Sequence, residues 1–426
     1  MKKLFSILLC FAVIFAFTAC GDSSKDAAVA GVEYHHYNTT NFNEKCDELK
    51  KLAESDASGN TESDDARGDK IITIYDQLYS EYKEMDTLYA VIYVKYSTDM
   101  TNDYYSDEQN YAYNILVKSG DKLCGICRKI TEGPYADKFK EHVGKDAFKK
   151  FADYDVMTKE EKKLVRNEKK LVDDYYDAIE KANSDGYTYK NEKWTFDEIN
   201  GEDGDKLALS DYNGYLKVNE GIQKNANKAT GPIFIKLVKL RDHMADLYGY
   251  DSYADYADKY TYYRDYTPEE LEQLYSDVKD FSSEYYKSCY SDDSSESSGA
   301  VPDMSANDLV KTLQKYSVKI DKMAGDSCDL MINKKLYSIG DEDCRQDGAF
   351  TTYIAKAKKP YISMMMDHSR DFIVLTHEFG HFVEYNVGGP QSNVLVDEDN
   401  TDLSEIASNG FEGLMTNYYG EIFGKK

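Results

Sequence analysis

Apolar residues recurring at three- and four-residue spacing constrain this chain most. Ile71, Ile74, Tyr75, Leu78, Tyr82, Met85, Tyr89 and Ile92 form one such stripe. It predicts a long amphipathic helix, because an α-helix returns side chains to one face about every 3.6 residues. The same period dominates the rest of the chain. Thr158-Lys159-Glu160-Glu161 reads as a capping box opening a helix through Leu164, Leu171 and Tyr175. Thr267-Pro268-Glu269-Glu270 reads the same way, with Pro268 suited to the first helical position and the acids to the positive helix end. There are only 6 prolines in 426 residues and strands do not alternate with helices, so the expected class is mainly α rather than a doubly wound sheet. Strand signals are confined to two small hairpins, 187–190 with 193–196 and 350–354 with 360–364.

The ends carry separate information. Lys2 and Lys3 precede an apolar run at 4–17 that is too short and wrongly flanked for an ordinary spanning helix, and it stops at Phe17-Thr18-Ala19-Cys20. Residues 1–20 therefore read as an export signal that resembles a bacterial lipobox. By that resemblance Cys20 would carry diacylglycerol and hold the mature chain at the outer face of the cell membrane. The competing reading is a secretory signal with a chance cysteine, but the polar Gly21-Asp22-Ser23-Ser24-Lys25-Asp26 behind it suits a tether. Residues 21–68 read as that tether plus a peripheral helix near 46–52, and 69–426 as the main domain. An acidic, serine-rich stretch at 291–298 reads as a loop.

A formal net charge of −26 argues against a nucleic-acid partner and against adsorption on anionic headgroups. Six cysteines follow Cys20, in a compartment that permits disulfides, and their pairing is not legible. Cys124-Gly125-Ile126-Cys127 has redox spacing but no βαβ context, so packed thiols are expected there.

The chemistry concentrates at His377-Glu378-Phe379-Gly380-His381. Ser369 can cap a helix whose core face includes Phe372, Leu375, Phe379 and Phe382 and which stops near Gly388-Gly389-Pro390. Four residues is about one turn, so both imidazoles leave one face and can bind a single zinc. Glu378 points about 100° away, off the metal but near a water that the metal would activate, which is the general-base position. A third ligand is required, and Val387 stands where the long histidine pattern needs another histidine. Among Asp397, Glu398, Asp399, Asp402, Glu405 and Glu412, the first three fall in a polar loop. Leu403, Ile406, Phe411 and Leu414 indicate a helix resuming near Asp402. A helical ligand is better preorganised than one on a loop, which selects Glu405, 24 residues after His381. Asn409 and Glu412, further along, can accept the outer ring proton of a ligating histidine. The zinc-binding core is thus 348–415. His35, His36, His142, His243 and His368 read as structural.

At these residues the chain resembles the thimet oligopeptidase and oligoendopeptidase F family of zinc metallopeptidases. Three segments between about 160 and 420 carry the likeness: Leu240-Arg241-Asp242-His243-Met244-Ala245 with Leu247-Tyr248-Gly249-Tyr250 and Tyr253-Ala254-Asp255-Tyr256; Gly348-Ala349-Phe350 and Pro360-Tyr361-Ile362 leading into the histidine motif; and Glu405-Ile406-Ala407-Ser408 with Glu412. The resemblance implies a helical ellipsoid with a deep channel that admits oligopeptides. It also implies that the strand Phe350-Thr351-Thr352-Tyr353 offers its edge to the peptide backbone. Family members continue past the glutamate helix into a segment with a histidine and several tyrosines. This sequence reaches Lys426, 14 residues after Glu412, with Tyr418 and Tyr419 too near the ligand helix for those roles. The expected function is therefore zinc-dependent cleavage of oligopeptides. The alternatives are a weak or inactive lipid-anchored peptide-binding fragment that retains zinc, and a chain completed by a second polypeptide.

Overall fold

A computed structural model describes residues 28–54, 64–154, 158–264, 266–289, 304–368, 370–389, 394–395 and 401–424. The export signal, Cys20, the 291–298 stretch, Ser369, Pro390 and Asp397 to Asp399 lie outside the described residues. The described residues fall into two compact units, one comprising 158–261 and the other the residues before and after it.

The expected long helix runs Asp64–Thr98. Ile71, Ile74, Tyr75, Leu78, Met85, Tyr89 and Ile92 are all buried along it, facing in part the helix Asp103–Thr131. The helix Thr40–Glu54 joins this core through Phe42, Cys46 and Leu49, each fully buried. More of the stretch before residue 69 is packed than its polarity suggests, because those three residues at one-turn spacing suffice to seat a helix. Cys46, Cys124 and Cys127 are buried thiols packed in this cluster, with Cys124 Sγ donating to the Leu395 carbonyl at 3.5 Å.

In the second unit the helix Lys159–Asp185 opens on the expected capping box, with Glu161 N–H donating to Thr158 Oγ1 at 3.2 Å. It packs along Tyr212–Leu247. Between them lies the first hairpin, β1 (Tyr187–Tyr189) with β2 (Glu192–Trp194), turning on Lys190 and Asn191. Both turn residues have positive φ, 52° and 68°, the signature of a two-residue turn matched to strand twist.

The second hairpin pairs β4 (Ala349–Ile354) antiparallel with β5 (Lys359–Met365), where it was expected. A further strand, β3 (Tyr337–Gly340), pairs parallel on the other side of β5, giving the order β3-β5-β4. β5 is nearly all buried, with Ser363 Oγ 2.9 Å from Ser97 Oγ of the long N-terminal helix. Immediately after β5 comes the helix Asp371–Gly388, seated by Phe372, Leu375, Phe379 and Phe382. The Asp371 carboxylate holds its start by accepting the backbone N–H groups of Asp367 and His368 at 2.9 and 3.2 Å. Gly389, at φ 58°, ends it. The mainly α class therefore holds, with the sheet beside the histidine helix.

Candidate active site

The helix Asp371–Gly388 projects His377 and His381 from one face, with ring centroids 5.0 Å apart. The chain then returns as a one-turn helix, Thr401–Ser404, breaks at Glu405 (φ −95°, ψ 2°), and continues as Ile406–Met415. The sequence suggested a continuous helix through Glu405. At the break the Glu405 carbonyl opens the second helix, accepting the Asn409 N–H at 3.0 Å, while the Ser408 hydroxyl bonds the same carbonyl at 3.0 Å and Glu405 Oε2 at 2.7 Å.

The return helix comes close because Gly380 has no side chain. A Cβ there would lie 2.6 Å from Cα of Ser408 and 2.8 Å from the Ala407 carbonyl oxygen. Phe379 packs edge-on against Phe411 across the same contact. This approach carries Glu405 to the histidines: its Oε2 is 3.1 Å from Nε2 of His377 and 3.2 Å from Nε2 of His381. Among the described residues, these three are the group whose donor atoms converge in this way.

Two histidine nitrogens and one carboxylate oxygen form a donor set that fits zinc. The spacing fits as well, since bonds of about 2.0–2.1 Å at tetrahedral angles put neighbouring donors about 3.3 Å apart. His377 Nδ1 is 2.6 Å from Oε1 of Glu412. With Nδ1–H donating to Glu412, the Nε2 lone pair faces Glu405 Oε2, which is repulsive unless a cation stands between them. Burial lowers the pKa of His381 and favours its neutral, ligating form, although Glu405 pulls the other way. Asn409 is exposed and makes no hydrogen bond to either imidazole.

Glu378, next to His377 on the same helix, is buried. Its Oε2 accepts a hydrogen bond of 2.7 Å from Thr351 Oγ1. Burial raises its pKa, while the Thr351 bond and the nearby His377 oppose that rise. Phe350, Thr351, Thr352 and Tyr353 all lie on β4, an edge strand among the described residues. Sequence reasoning named Thr351 for its backbone and missed its hold on Glu378. It also missed Arg264 and Tyr266, which bond Asp402 ahead of Glu405. No local pattern marks either relationship. Tyr418 packs against Tyr316 and donates to the Lys319 carbonyl at 3.2 Å.

A helix bearing His-Glu-x-x-His, a glutamate returned to it and a sheet edge alongside form the kind of arrangement that metallopeptidases use. Residues 32–158 match the N-terminal domain of M3 peptidases, a segment that carried no part of the likeness in the sequence and that starts inside the supposed tether. Among solved structures, the chain is similar to a protein from Bacillus anthracis str. Ames assigned as oligoendopeptidase F. The two share 19% identity at a TM-score of 0.65, over 94% of this chain and 76% of that one. A second structure assigned as oligoendopeptidase F shares 16% identity at a TM-score of 0.64, over 94% and 72%. PZ peptidase A with an inhibitor shares 17% at 0.64, over 92% and 70%. No curated protein sequence matches the chain. The chain thus carries an M3 peptidase N-terminal domain at 32–158 and shares the fold of these oligopeptidase structures.

Proposed function

We propose that this protein is a zinc-dependent endopeptidase of the M3 oligoendopeptidase kind acting on oligopeptides, with one zinc held by His377, His381 and Glu405 and with Glu378 for proton transfer. The observation that carries the reading is the convergence of both Nε2 atoms on one Glu405 oxygen, at 3.1 and 3.2 Å, one residue from a buried carboxylate. When bound, zinc supplies Lewis acidity, lowering the pKa of water toward neutrality and offsetting charge on the scissile carbonyl. Glu378 does the rest of the acid–base work. Its Oε2 is engaged by Thr351, which leaves Oε1 to take the proton from the attacking water and return it to the leaving amine. β4 offers its free edge to the substrate backbone, a mode that reads little side-chain identity and suits varied peptides.

Export and anchoring belong to the same proposal. They rest on Lys2, Lys3, the apolar run and the small residues before Cys20. Among the described residues no helix is long and apolar enough to cross a membrane. A lipid on Cys20 would place the site at the outer face of the cell membrane, and mass analysis of the N-terminal peptide of the mature protein checks it.

The decisive experiment on catalysis is Glu378→Gln assayed for zinc content and for cleavage of a quenched oligopeptide. One zinc per chain should remain and turnover should fall below about 1% of the unsubstituted rate. Undiminished cleavage would remove Glu378 from the mechanism. Wild-type protein that holds zinc but never cleaves would instead favour a peptide-binding role.

A further inference from the structure

We propose that Arg264 is a positioning residue for the third metal ligand, acting through Asp402 to hold the turn at Glu405. The inference rests on the zinc-site reading above. Arg264 meets Asp402 as a fork, with Nε donating to Oδ2 at 2.7 Å and Nη2 to Oδ1 at 3.0 Å. The Tyr266 hydroxyl bonds the same Oδ2. The guanidinium lies over the Tyr262 ring, 4.8 Å from its centroid.

Asp402 sits in the four-residue helix Thr401–Ser404, which ends directly at Glu405. One helical turn does not sustain itself, because nucleation costs more than a single turn returns. Glu405 is not fixed by packing either: its side chain is 49% exposed, and the Ser408 hydroxyl is its hold on the C-terminal side. The Arg264–Asp402 fork supplies the hold on the N-terminal side, 138 residues away in sequence.

An isolated surface ion pair contributes little. This one differs, because two parallel bonds, a third donor and a stacked guanidinium act on a single carboxylate, a geometry lysine cannot reproduce. Both side chains are also partly covered, at 26% and 35% exposure.

The test uses the full chain and zinc alone as the probe, with affinity measured by competition against a chromophoric chelator. Arg264→Ala and Asp402→Ala should each weaken zinc binding about 10- to 100-fold, as loss of partners around metal ligands commonly does. The double variant should bind no worse than the weaker single, since both remove one interaction. Arg264→Lys should fall between wild type and Arg264→Ala. The denaturant midpoint of the metal-free protein should not move. Zinc affinity within twofold of wild type in both singles overturns the assignment, and so does a loss matched by destabilisation of the metal-free chain. Wild-type protein that fails to bind zinc sinks the metal reading together with this one, whereas failure confined to the variants to show the loss sinks this one alone.

Discussion

Thr351 Oγ1 lies 2.7 Å from Glu378 Oε2, so the carboxylate assigned to proton transfer is held from the sheet and not from its own helix. Burial raises the Glu378 pKa and this bond lowers it. Removing the bond withdraws support from the charged form, so the pKa must rise further. Thr351→Val should therefore move the acid limb of the kcat/KM profile to higher pH and lower activity at neutral pH by about tenfold. Thr351→Ser should restore both. An acid limb that stays in place across a pH-rate series would show that the bond does not tune Glu378.

Gly380 offers a test of how the ligand helices meet. Gly380→Ala places a methyl group where Ser408 Cα and the Ala407 carbonyl already stand, and both are backbone. The helix Ile406–Met415 must shift, at a cost of about 1–3 kcal/mol, typical of overpacking. Because Glu405 rides at the start of that helix, zinc affinity should fall with stability. Equilibrium unfolding and chelator competition on the same preparation measure the two effects.

Asp86 makes a prediction about pH that is independent of the site. Burial on the helix Asp64–Thr98 raises its pKa from 3.8 to about 6. The folded state then binds more protons than the unfolded state between those values, so the contribution favours the fold below about pH 4 and is lost as pH rises through about 6. Asp86→Asn should stabilise the protein at pH 7 by up to about 3 kcal/mol and change little near pH 4. Urea midpoints at the two pH values decide it, and an equal shift at both would exclude titration of Asp86 as the cause.

What was legible in the sequence divides by range. The stripe from Ile71 to Ile92, the capping box at Thr158 and the hairpin at 350–364 are local patterns, and each appears where expected. The strand Tyr337–Gly340 was not seen, because its parallel pairing to β5 leaves no turn between the partners to betray it. Glu405 was chosen as a helical ligand and stands beside both imidazoles, yet at a helix break that apolar periodicity, which reads straight through it, does not mark. Thr351 with Glu378, and Arg264 with Asp402, join residues 27 and 138 positions apart through side-chain geometry that no spacing rule encodes.

The bond between Ser97 and Ser363 spans 266 residues and fixes β5 against the N-terminal helix. The strand leads directly into the helix bearing His377 and His381, and Glu405 follows later still. During synthesis the long N-terminal helix must wait without a sheet to dock on, and the donor group closes only after the return helix has emerged. Under the proposed zinc reading, metal capture is tied to a late stage of chain growth: partial products ending before Glu405 carry two histidines on an unsupported segment and would have little means of retaining the ion. Loading would then act as a checkpoint on assembly, passed only by chains that have already brought their distant segments together.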